Sequence, residues 1–235
     1  MIYVFVGLGV LVAFWYVLMF CIALREKQYL VGDTEPVSEP FPLKPSPYWL
    51  ATREHARLAG MICVGNYATK RNTSLVKGLE SVWVTPDRTV AAAIVGGSFL
   101  SIPLKKTVLR TRLNNGWVLS TSDLAAPSDP TGLIQEGLLL NASISELLNF
   151  HRQRIAMSGT VAVPFVSPDV HSELEQIQLE RGRRLVEMGL ARWVNREQTI
   201  IRGTLRGAMR TIFKGGEFRQ MQAQQGRLDV RRAGA

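Results

Sequence analysis

A chain of 235 residues with 46% hydrophobic and 20% charged side chains is apolar enough to bury a core, which excludes a disordered polymer. Its two cysteines, Cys21 and Cys63, exclude a disulfide framework, and a formal charge of +9 directs attention to anionic partners.

The first element in chain order is an uncharged run from Ile2 to Leu24, followed directly by Arg25, Glu26 and Lys27. At about 1.5 Å per residue such a run is long enough for a hydrocarbon core of about 30 Å, so residues 1–28 are expected to form a single-pass transmembrane helix acting as an anchor. The basic n-region and small-residue cleavage site of a secretory signal are absent, which favours a retained helix. Arg25, Lys27 and Lys44 lie downstream, so the N-terminus is expected outside and the following domain in the cytoplasm. Residues 29–46 carry prolines at 36, 40, 42 and 45, and read as a stiff linker holding the domain off the bilayer.

Residues 47–214 are expected to form one soluble α+β domain. Ser46-Pro47 offers a cap and a ring preset to helical φ, predicting a helix over 47–59 that Gly60 ends. A strand over 61–68 follows. Four further strands are predicted over 81–85, 89–95, 107–113 and 117–122, with turns at Pro86-Asp87-Arg88 and Asn115-Gly116. Hairpin spacings without intervening helices predict an antiparallel meander of four to five strands flanked by helices. Ser143 with Glu146 is a capping-box pattern opening a helix that carries Ile144, Leu147, Leu148 and Ile155 on one face. A third helix is expected from Ser167-Pro168 to Gly189, with Arg181 on its apolar stripe. A hairpin over 190–194 and 199–202 and a helix over 204–214 complete the domain, and residues 215–235 read as a basic, disordered tail.

Chemical candidates are few. His151 shares the face of Ile144, Leu147, Leu148 and Ile155, so it points inward, where a hydrogen-bonded core histidine is favoured over a general base. Cys63, among Met61, Ile62 and Val64, reads as a buried, inert thiol. No His or Cys pair has metal-ligand spacing and no phosphate loop is present, so neither a metal nor a cofactor is expected. Asp123, Ser128, Asp129 and Thr131 read as turn formers.

The strongest feature outside the anchor is a set of four cations, Arg202, Arg206, Arg210 and Lys214, at steps of four. Three of them stripe a helix beside Leu205, Ala208, Met209, Ile212 and Phe213. From Arg192 onward ten basic residues stand against three acidic ones. The function this pattern implies is a membrane-anchored, non-enzymatic interaction or scaffold protein whose basic C-terminal helix meets anionic lipid or an acidic protein partner. Two alternatives are a membrane-tethered nucleic-acid binder, with the helix before Gly189 and the following hairpin forming a winged-helix module, and a hydrolase using His151. Oligomeric state has no signature in the sequence.

Overall fold

Val, Thr, Ile and Trp recur between Ile62 and Ser122 at positions where a pleated, half-buried surface suits β-branched and aromatic side chains, and this stretch forms the centre of a large sheet. The computed structural model describes residues 27–70, 76–99, 102–124 and 129–210, with positions 17, 21 and 24. Strands β2 (Thr34–Pro36), β3 (Ile62–Thr69), β4 (Val76–Val84), β5 (Ala91–Phe99), β6 (Ile102–Leu113), β7 (Val118–Ser122) and β8 (Ile134–Leu138) lie side by side in chain order. An eighth, β9 (Ala162–Val163), pairs with Arg112 and Leu113 of β6, beyond the point where β5 begins.

This architecture corrects the expected fold class. The sheet has eight strands rather than four or five, and it is not a pure antiparallel meander, because β7 and β8 run parallel. The turn at Asp129 returns the chain to the start of β7, where its carboxylate accepts from Thr131 and from the Ile134 amide at 2.9 Å. Nor does the expected transmembrane helix stand in the fold. Among the described residues no helix is long and apolar enough to cross a membrane, and apart from positions 17, 21 and 24 the run from Ile2 to Leu24 lies outside the described residues.

Helices α1 (Pro47–Leu58) and α2 (Ile144–Met157) cover one face of the sheet, where Trp49, Ala56, Ile144, Leu147 and Leu148 pack on Leu79, Trp83, Ile94 and Leu109. Both start as their caps dictate. Ser46 Oγ accepts from the Trp49 amide, and Ser143 with Glu146 makes the full capping box. Helix α3 (Val170–Glu187) covers the other face with Val170, Leu174 and Ile177 against Val82, Val84, Ala91, Phe165 and Ile134.

A second, three-stranded sheet packs on a different stripe of α3. Strands β1 (Lys27–Tyr29), β11 (Ile200–Gly203) and β10 (Ala191–Trp193) lie in that order, all antiparallel, and bury Leu30, Ala191 and Ile201 against Leu179, Leu185 and Val186. The segment between the two sheets is held at several points. The Gly32 amide donates to Glu175 Oε1 at 2.7 Å, Thr34 bonds to His171 at 3.1 Å, and Val37, Phe41 and Leu43 pack against the α1 side of the core. The prolines of residues 29–46 therefore lie on a stretch tied to both sheets.

Candidate functional site

The pairing of the small sheet brings together three cations from distant parts of the chain. Lys27 of β1 stands opposite Arg202 of β11, and Arg202 stands opposite Arg192 of β10, so the three form one cross-strand row. Directly opposed residues place their Cβ atoms about 4.5–5.5 Å apart, where like charges destabilise a sheet. Lys27 and Arg192 are exposed and Arg202 is half-buried, its Nε enclosed without a hydrogen-bond partner. None of the three has a carboxylate within ion-pair distance among the described residues.

What holds this repulsive row is the opposite face of the same sheet and its hairpin. Ile201 is fully buried beneath it, and Asn195 Oδ1 accepts from the amides of Thr199 and Ile200 at 3.1 and 2.9 Å, closing the turn. Thr204 then donates to the Gly189 carbonyl at 2.7 Å while accepting from the Gly207 amide, which starts a helical segment over residues 205–210. Ala208 is buried, and Arg206 and Arg210 are exposed. Of the four cations marked in the sequence, Arg202 thus belongs to the strand row and Arg206 and Arg210 to the helical segment beyond it. Lys214 lies outside the described residues. Lys27 was not legible as a partner of Arg202, because only strand pairing joins residues so far apart in sequence, whereas Arg192 faces Arg202 across the hairpin expected over 190–194 and 199–202.

His151 is fully enclosed, and both ring nitrogens are satisfied. Arg154 donates to Thr121 Oγ1 at 2.8 Å, and Thr121 Oγ1 lies 2.7 Å from Nδ1. Thr111 Oγ1 donates its proton to the Thr89 carbonyl at 2.9 Å, so it accepts from Nε2, also at 2.9 Å. The ring is therefore neutral and protonated on Nε2. Burial, with Arg154 adding repulsion, pushes its pKa down to about 3. A shallow cleft of about 320 Å³ lies nearby, lined by Thr85, Asp87, Thr89, Arg152, Ile155 and Val161, and His151 does not line it. A base must reach its substrate, so this geometry runs against the hydrolase alternative.

The nucleic-acid alternative meets a similar obstacle. Helix α3 would be the recognition helix, yet one stripe packs on the large sheet and another on the small sheet, leaving Gln176, Arg183 and Glu187 as its exposed positions. A groove-reading helix needs a free face. Arg181, on the apolar stripe, pairs with Asp129 at 3.0 Å.

Cys63 departs from expectation, because it is exposed. Beside it the ladder to β4 is interrupted by a register shift between Cys63 and Gly65, and β2 pairs only with Tyr67 to Thr69, leaving this end of β3 as an uncovered edge. Among the described residues no three His, Cys, Asp or Glu side chains are grouped to hold a metal ion. Compared with protein-family models, curated proteins and solved structures, the chain matches none.

Proposed function

We propose that this protein is a membrane-attached interaction domain whose small sheet presents its basic row to an anionic lipid surface. The observation that carries this reading is the Lys27–Arg202–Arg192 row, which begins three residues after the uncharged run ends at Leu24. Arg206 and Arg210 extend the same basic character just after β11. Each cation close to an anionic bilayer contributes about 1 kcal/mol, so lipid would offset the repulsion that the row builds in.

The test uses the full chain in nanodiscs of zwitterionic lipid and in nanodiscs containing phosphatidylglycerol. The anionic discs should raise the unfolding free energy of the wild type by about 2–3 kcal/mol, the sum of three such charges. Arg192→Glu with Arg202→Glu should abolish that difference. An equal difference in the double variant would overturn the proposal.

A further inference from the structure

The face of the large sheet beneath α3 carries charge where a covered sheet normally carries apolar side chains. Glu80 of β4 and Lys106 of β6 lie in one cross-strand row, with Val95 of β5 between them. Arg110 of β6 and Glu136 of β8 lie in a second row, with Ser120 of β7 between them. Ala93, Val108 and Ser122 occupy the row that separates these two. With strands about 4.8 Å apart, each charged pair spans about 10 Å across a floor of small side chains.

Helix α3 roofs only part of this floor. The carboxamide oxygen of Gln178, in the orientation its neighbours require, accepts from two terminal nitrogens of Arg110 at 2.9 and 3.1 Å. Arg181 bonds to Asp129. Beyond them Ala93, Val95 and Gly97 stay half-buried, so that flank is open to solvent.

Apart from the Arg110–Gln178 and Arg181–Asp129 contacts, the charges on this floor lack direct partners among the described residues. Among the described residues Glu80, Lys106 and Glu136 make no hydrogen bond or ion pair, and the Nε of Arg110 is enclosed without a partner. Burial pushes the Lys106 ammonium and the Arg110 guanidinium below their ordinary ranges, with Arg110 adding repulsion on Lys106 and with Glu136 acting on both in the opposite direction. Burial likewise pushes the Glu80 carboxyl up. Desolvated charge without a partner is costly, and groups perturbed in this way cluster at functional sites.

We propose that Lys106, Arg110 and Arg181 hold a small oxyanion, of phosphate size, over the Val108–Ser122 floor, with Glu80 and Glu136 at the flanks rejecting larger polyanions. The site lies on the far side of α3 from the small sheet and stands independently of the lipid reading.

Inorganic phosphate is the probe. The full chain in zwitterionic nanodiscs is titrated with sodium phosphate against sodium chloride of matched ionic strength, following both the thermal midpoint and the phosphorus NMR linewidth. Saturable binding beyond the chloride control is expected, weakened at least tenfold in Lys106→Gln and in Arg110→Gln and unchanged in Arg183→Gln, an exposed cation on another stripe of α3. Should Arg110→Gln fail to fold through loss of its Gln178 contact, Lys106→Gln still decides. Absence of saturable binding, or equal binding in Lys106→Gln, would overturn the proposal.

Discussion

His151 shows how a single side chain can be polar, buried and chemically silent. The relay from Arg154 through Thr121 to Nδ1, and from Nε2 through Thr111 to the Thr89 carbonyl, fixes one neutral tautomer and leaves no lone pair for a substrate. Nitrogen NMR of the imidazole should therefore report the Nε2-protonated form at neutral pH, with a pyrrole-like Nε2 and a pyridine-like Nδ1. The folded pKa of about 3 lies below the ordinary 6.5, so the unfolded chain takes up the proton first. The stabilisation is thus present above pH 6.5 and drains as pH falls towards 3. The stability gap between wild type and His151→Gln should narrow by up to about 1.4 kcal/mol per pH unit in that window, as measured by denaturant unfolding. The inward direction of His151 was legible from its spacing to Ile144 and Ile155. The exposure of Cys63 was not, because it depends on how far β2 extends along β3.

At the scale of elements, α1 is seated by the absence of a side chain. A Cβ on Gly96 would stand 2.6 Å from Trp49 Cβ and 2.7 Å from Ser46 Oγ, so the capped first turn of α1 lies directly on β5. Gly96→Ala should cost about 1–3 kcal/mol by overpacking, read as a lowered denaturation midpoint with an unchanged m-value. The strand expected over 89–95 continues through Gly96 and Gly97 inside β5 (Ala91–Phe99), where close approach by a helix and by β4 requires glycine. Capping boxes, Asn-Gly turns and alternating patterns are local signals, and the elements they mark stand close to their expected bounds: helix 47–59 is α1 (Pro47–Leu58), and strand 117–122 is β7 (Val118–Ser122). Strands β1, β2 and β9 have three residues or fewer and are defined by distant partners, so no local pattern marks them. β8, with the sequence IQEGL, lacks β-branched alternation and pairs in parallel through a turn held by Asp129. The basic row was partly legible: Arg202 stands out by charge and the hairpin expected over 190–194 and 199–202 brings Arg192 to it, whereas Lys27 joins only through the ladder.

The molecule as a whole stacks α1 and α2, the large sheet, α3 and the small sheet, with α3 shared by two apolar clusters. That sharing withdraws the helix from any groove and leaves the outer small sheet as the basic face nearest the uncharged N-terminal run. We propose that this face meets anionic lipid. Arginine footprinting with phenylglyoxal on the full chain in nanodiscs tests it most directly, with exposed Arg183 on α3 as an internal standard. Arg192 and Arg206 should be protected in phosphatidylglycerol discs and modified in zwitterionic ones, with Arg183 reacting equally in both. Equal modification of Arg192 and Arg206 in the two kinds of disc would contradict it.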